Sequence, residues 1–223
     1  MNPRTLVLGH RGARAVRSIP ENTFASFDRA LADGCDGFEF DVRLTGDGQA
    51  VVCHDPKVGG VEIARATEQE LAGLPRFEDV LERYQETAFL DIELKVLGLE
   101  KITMGLLRSC LPWRGLVVSS FLPEALRVLR KHDATVPLGL ICETRSQLEQ
   151  WRGLPVDYVI PRFSLLNRRL LGEMKDAGKK VMVWTVNTSA GMRRYAKWGV
   201  EGIISDDPKL SVGTLPRQVS RVR

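Results

Sequence analysis

Two stretches decide how this chain folds: Gly37-Phe38-Glu39-Phe40-Asp41-Val42 and Ala88-Phe89-Leu90-Asp91-Ile92-Glu93-Leu94-Lys95. Each is rich in β-branched and aromatic residues and too short for a buried helix, so both read as strands. Side chains of a strand alternate between its two faces, which puts Glu39 and Asp41 on one side and Phe38, Phe40 and Val42 on the other. In the second stretch Asp91, Glu93 and Lys95 share a face, opposite Ile92 and Leu94. The apolar faces need helices to cover them, and the acidic faces must then point into a shared interior.

The same alternation of short apolar runs and amphipathic stretches continues in both directions, which is the pattern of parallel strands joined by crossover helices. Six further strands are expected at Thr5 to Gly9, Leu116 to Ser120, Pro137 to Ile141, Tyr158 to Ile160, Lys180 to Val186 and Gly202 to Ser205. Pro20-Glu21-Asn22-Thr23 before Phe24, and Asn187-Thr188-Ser189 before Met192, read as helix starts. Gly34, Gly178 and Gly199 fall where left-handed helix ends are needed. Eight such units in 223 residues imply an α/β fold, a single (β/α)₈ TIM barrel.

Between the second and third strands lies an irregular stretch. After the turn Gly46-Asp47-Gly48, Gln49 to Cys53 reads as an extra antiparallel strand, and Phe77 to Tyr84 as the crossover helix. The expected organisation is a single barrel domain over 1–209, a short excursion at its mouth over 49–76, and a surface tail over 210–223, where periodicity is lost.

Composition excludes several classes. Hydrophobic residues at 43% and charged residues at 27% describe an ordinary globular chain. Cys35, Cys53, Cys110 and Cys142 show no C-x-x-C spacing, so buried reduced thiols are expected rather than disulfides or a thiolate metal site. The short apolar run after Met1-Asn2-Pro3-Arg4 meets His10 too soon for a signal segment, and a cytoplasmic location without membrane insertion is the expectation. A net charge of +4 without a basic stripe interleaved with aromatics argues against nucleic acid and permits a small anionic substrate. Oligomeric state is not legible.

Barrels of this type carry their sites at the carboxyl ends of the strands. His10-Arg11 ends the first strand, Glu39 and Asp41 the second, Glu93 and Lys95 the third, and Trp184 the seventh, with His54 nearby. Desolvated carboxylates that repel one another call for a cation, and oxygen donors of this kind suit Mg²⁺ or Ca²⁺. Asp91 reads instead as the partner of an internal salt bridge with Lys95 or Arg11. His132, late in a helix beside Arg130 and Lys131, reads as a cap on helix carbonyls.

His10-Arg11-Gly12, Pro20-Glu21-Asn22-Thr23, Glu39-Phe40-Asp41-Val42, His54-Asp55, Glu93-Leu94-Lys95, Ser119-Ser120-Phe121, Trp184-Thr185-Val186-Asn187 and Asp206-Asp207-Pro208 stand in order from His10 to Pro208. In these motifs the chain resembles the glycerophosphodiester phosphodiesterase family. The resemblance implies that Glu39, Asp41 and Glu93 hold a divalent metal ion (Mg²⁺ or Ca²⁺), that His10 and His54 exchange protons with the substrate, and that Arg11 and Lys95 contact phosphate. It implies hydrolysis of a small-molecule glycerophosphodiester to glycerol 3-phosphate and an alcohol. Phe121 and Trp184 read either as contacts to glycerol carbons or as packing at the mouth, Glu21 and Asn22 as braces or as a helix start, and Asp206 as the end of the last strand. Pro56 to Thr67 lacks the arginine and threonine-glycine run of the family, and Asp91 stands where asparagine is common, which leaves the alcohol-side pocket open. Competing readings are phospholipase-like cleavage of a lipid headgroup and a non-catalytic phosphate-binding barrel.

Overall fold

The structure, a computed structural model, describes residues 4–215. Eleven strands are formed among the described residues. They are β1 (Leu6–His10), β2 (Gly37–Leu44), β3 (Ala50–Val52), β4 (Lys57–Val58), β5 (Val61–Glu62), β6 (Phe89–Leu94), β7 (Leu116–Ser120), β8 (Leu138–Cys142), β9 (Tyr158–Pro161), β10 (Lys180–Val183) and β11 (Gly202–Ser205). Eight of them, in ring order β1, β2, β6, β7, β8, β9, β10 and β11, pair in parallel, and β1 pairs with both β2 and β11, so the sheet closes into a (β/α)₈ barrel. The antiparallel β3 is added outside the ring on β2, and β4 and β5 form a separate small hairpin.

Helices follow the strands in turn: α1 (Phe24–Ala32), α2 (Phe77–Tyr84), α3 (Glu100–Ser109), α4 (Pro123–His132), α5 (Arg145–Glu149), α6 (Arg168–Asp176), α7 (Ser189–Trp198) and α8 (Pro208–Thr214). The expected starts hold: Thr23 Oγ1 accepts from Ser26 N–H and Thr188 Oγ1 from Gly191 N–H, each supplying a partner for a first-turn donor. Gly34, Gly178 and Gly199 all have positive φ, as the helix exits require.

The two faces of the strands separate as the alternation demands. Phe38, Phe40, Val42, Ile92 and Leu94 lie in the layer between the barrel and its helices, where Phe27 of α1 stacks on Phe38 at 4.2 Å. Inside the barrel Leu8, Phe89, Val117, Ile141, Tyr158, Ile160, Met182 and Ile204 form an apolar cluster, so the interior is a packed core rather than a pore. At Gly37 a Cβ would sit 1.8 Å from the Phe89 carbonyl oxygen, so only glycine lets β2 lie this close to β6 at its base.

Several details depart from the sequence pattern. The seventh barrel strand stops at Val183, and Trp184 keeps only an isolated bridge to Arg162. The excursion has its own small core of Val51, Cys53, Ile63, Ala66 and Leu71. Residues 208–214, read in part as tail, form α8, whose Val212 packs with Val7, Ala30 and Cys35. With Pro208 at its start, α8 is too short to display a helical period. The rest of the expected tail lies outside the described residues. Among these residues Arg130 rather than His132 takes the carbonyls beyond α4, reaching those of Ala134, Val136 and Pro155. Cys53, Cys110 and Cys142 are free thiols, Cys110 being the partly exposed one, and Cys35 is buried.

Candidate active site

Strand register assembles the site. His10 is level with Glu39 and Glu39 with Asp91, while one layer nearer the mouth Asp41 is level with Glu93 and Glu93 with Ser119. Neighbouring strands lie about 4.8 Å apart, so residues level across three strands become neighbours whatever their separation in the chain.

Glu39, Asp41 and Glu93 each offer one oxygen, all within 4.8 Å of one another, and all three residues are buried. Burial, then repulsion from Asp41, Glu93 and Asp91, lifts the Glu39 carboxyl well above the ordinary range. Burial and Asp41 push Glu93 up to about 7. Burial acts on Asp41 in the same direction, but Lys95, Arg11 and a hydrogen bond from Asn22 outweigh it and hold Asp41 low. The cations present are Lys95, with Nζ 3.2 Å from Asp41 and 2.6 Å from Glu93, and Arg11, with Nε 3.2 Å from Asp41. Glu39 Oε1 is buried without a hydrogen-bond partner. An orphaned carboxylate oxygen facing two others fits a hard, oxygen-preferring cation. These three residues could hold one.

A short turn braces the acids. Arg11 and Asn22 both take the left-handed conformation, with φ of 50° and 57°. Asn22 N–H donates to the Arg11 carbonyl at 3.1 Å, and its side-chain amide donates to Asp41 Oδ2 at 2.8 Å. The Arg11 backbone N–H reaches Glu39 Oε2 at 3.0 Å, and Glu21 Oε1 accepts from Arg11 Nη1 at 2.6 Å. At Gly12, with φ of 85°, a Cβ would meet Ser26 Oγ at 2.4 Å, so this turn can only sit on α1 through a glycine. Of the two readings left open for Glu21 and Asn22, the bracing one describes their contacts, while the helix cap is Thr23.

Both imidazoles are held from behind. His10 Nδ1 lies 2.6 Å from Asp206 Oδ1, and Asp206 Oδ2 accepts from the Asn187 amide at 2.6 Å. A carboxylate can only accept here, so Nδ1 carries the proton and Nε2, 3.9 Å from Glu39 Oε2, faces the acids. Burial pushes the Asp206 carboxyl up, but hydrogen bonds from His10 and Asn187 and the charge of Arg14 bring it down to about 2. His54 Nδ1 similarly lies 2.7 Å from Asp55 Oδ1, and Arg43 fixes the His54 carbonyl through two bonds of 2.8 and 2.6 Å. Burial lowers the His54 pKa, more than its bond to Asp55 raises it.

Asp91 corrects one expectation. It makes no ion pair with Lys95 or Arg11, because it lies two layers deeper than Lys95. Ser119 Oγ donates to its Oδ1 at 2.6 Å, and burial lifts its pKa to about 7.

Above the acids opens a cavity of about 510 Å³, lined on one side by His10, Arg11, Glu39, His54, Asp91, Glu93 and Lys95. Phe121, Ile141, Glu143, Gln147, Ile160, Trp184 and Ile204 line the remainder. Phe121 and Trp184 meet edge to face at 5.8 Å, and Trp184 is pinned by a 2.9 Å bond from its Nε1 to the Ile160 carbonyl. Of the excursion, His54 alone lines this cavity. The sequence reading took Asp206 for the end of the last strand and passed over Glu143. Ring order holds a signal for the first, since the last strand of a closed barrel is adjacent to the one ending in His10.

The sequence profile of the Glycerophosphoryl diester phosphodiesterase family matches residues 10–70 and 66–210. A glycerophosphodiester phosphodiesterase of Caldanaerobacter subterraneus subsp. tengcongensis is 32% identical over 235 residues, covering 92% of this chain and 96% of its own. In fold, a crystal structure of a glycerophosphodiester phosphodiesterase from Parabacteroides distasonis superimposes with a TM-score of 0.85 at 23% identity, covering 96% of this chain and 98% of that one. An Oleispira antarctica phosphodiesterase in complex with the product sn-glycerol-3-phosphate does so with a TM-score of 0.84 at 24% identity, covering 96% and 98%. Among the described residues no helix is long and apolar enough to cross a membrane.

Proposed function

The chain belongs to the glycerophosphoryl diester phosphodiesterase family, and on that premise we propose that it hydrolyses small glycerophosphodiesters to glycerol 3-phosphate and an alcohol, with His10 and His54 exchanging protons beside a divalent cation. The observation that carries this reading is a pair of imidazoles, each tied at Nδ1 to a carboxylate, at the rim of a buried three-carboxylate cluster. Such a pair suits a reaction that needs a proton taken at one oxygen and given at another.

Glu39, Asp41 and Glu93 are the residues that would hold the cation, Mg²⁺ or Ca²⁺. When bound, it supplies positive charge against the phosphoryl oxygens as their negative charge builds. Arg11 and Lys95 add to that charge. Lys95 Nζ now faces Asp41 and Glu93, and with those acids neutralised its ammonium is free to meet a phosphate oxygen. One imidazole takes the proton of the attacking hydroxyl through Nε2, and the other gives its proton to the oxygen of the departing alcohol. If the attacker is the substrate's own glycerol hydroxyl, a cyclic phosphate results, and water opens it with the two histidines exchanging roles. Asp206 and Asp55 keep each ring in the tautomer and orientation that this exchange requires.

The test is release of glycerol 3-phosphate from a soluble diester by purified protein with Mg²⁺ or Ca²⁺. His10→Ala and His54→Ala are each expected to lower kcat by about 10³-fold, near the contribution of a positioned acid or base, and chelation to abolish turnover. Undiminished turnover in either variant and after chelation would refute the mechanism.

A further inference from the structure

The proton transfers use one side of the cavity, and the opposite wall has no part in them. β8 is the fifth strand of the ring, diametrically across from β1, which ends in His10. Glu143 is the first residue beyond β8, so it stands on the rim facing the imidazole across the mouth, and it lines the cavity. Its stem is fixed: Glu143 N–H donates to Gln147 Oε1 at 2.9 Å, within the capping box that starts α5. Arg162 Nη1 comes to 3.7 Å from Glu143 Oε1, beyond hydrogen-bonding distance, and both side chains are about half exposed.

The cavity is therefore polar along its length. Arg11 and Lys95 give positive charge at the phosphate end, Glu143 gives negative charge at the far end, and the Phe121–Trp184 pair stands between them. An aromatic surface beside a carboxylate is the environment that receives an alkylated or primary ammonium group. A polyol can donate a hydroxyl to Glu143 but brings no charge to meet it. Ile141, Ile160 and Ile204 offer hydroxyls nothing, and Gln147 Oε1 already accepts from Glu143 N–H, Thr144 N–H and Thr144 Oγ1. An anionic alcohol would face Glu143 directly.

We propose that Glu143, with Phe121 and Trp184, forms a leaving-alcohol subsite that selects glycerophosphodiesters whose alcohol carries an ammonium group. The subsite deepens the phosphodiesterase reading and rests on it.

The experiment compares kcat/KM for glycerophosphocholine and for the neutral diester glycerophosphoglycerol, in the wild type and in Glu143→Gln, Glu143→Lys and Arg162→Gln. Glu143→Gln is expected to lower kcat/KM for the choline diester about fivefold, the size of a half-exposed ion pair, and to move the neutral diester less than about twofold. Glu143→Lys should widen that gap and Arg162→Gln, by freeing the carboxylate, should raise the preference for choline. All of these differences should shrink with added salt. If the wild type hydrolyses both diesters and Glu143→Gln changes them equally or not at all, the subsite is overturned and the phosphodiesterase reading stands. A wild type that hydrolyses neither overturns both.

Discussion

Replacing Asp206 by asparagine isolates the group behind His10. The carboxyl is depressed from 3.8 to about 2 in the folded chain, a difference that corresponds to about 2 kcal/mol of folding free energy. The sign follows from which state binds more protons. Between pH 3.8 and about 2 the unfolded chain holds this proton and the folded chain does not. The contribution is therefore complete above the unfolded value and disappears as pH falls through the folded one. Asp206→Asn should accordingly be less stable than the wild type by about 2 kcal/mol at pH 7 and nearly equal to it at pH 2. Urea titrations at the two pH values measure this. The same substitution removes the acceptor that keeps Nδ1 protonated and Nε2 aimed at the acids, so kcat should fall about 10²-fold with KM little changed. Wild-type kcat in Asp206→Asn would show that the bond does not orient the imidazole, and a stability loss of the same size at both pH values would show that it does not draw its strength from charge.

Two more predictions concern the acids and the core. Without a cation Glu93 keeps its proton up to about pH 7, whereas in the unfolded chain it ionises near 4.5, so folded protein binds the extra proton and stability should fall as pH rises across that window. Saturating Mg²⁺ or Ca²⁺ should remove that slope in urea titrations at pH 5 and 8, and identical midpoints with and without cation would contradict the assignment of Glu39, Asp41 and Glu93. Phe38→Ala, which empties a fully buried site stacked on Phe27, should lower stability by about 3–5 kcal/mol; a loss below about 1 kcal/mol in a denaturant titration would mean that this layer repacks.

The barrel was readable because its strands carry a strong two-residue period with large apolar groups on one face, as at Phe38, Phe40, Ile92 and Leu94. Buried acids on the opposite face, at Glu39, Asp41 and Glu93, are anomalous enough in a strand to announce a site. What stayed hidden depended on depth or on closure. Whether Asp91 meets Lys95 or Ser119 turns on the layer in which each side chain ends, and strand alternation is blind to layers. Asp206 belongs with His10 only once the ring is closed, and read along the chain it looks like the end of a strand. α8 is a single short turn-rich helix whose place is set by Val7, Ala30 and Cys35, contacts that no local period encodes. Glu143 was invisible for a different reason: an acid at a strand end resembles any surface residue until ring order shows what stands across from it.

The bond between His10 and Asp206 joins residues 196 positions apart, across the seam where the first and final strands zip together. On the proposed role of His10, turnover becomes a reporter of ring closure. A nascent chain still lacking its last strand has all three buried acids and both imidazoles, yet the first of those rings has no carboxylate behind it. During refolding, recovery of hydrolysis should lag behind recovery of helical signal by the time the seam takes to shut.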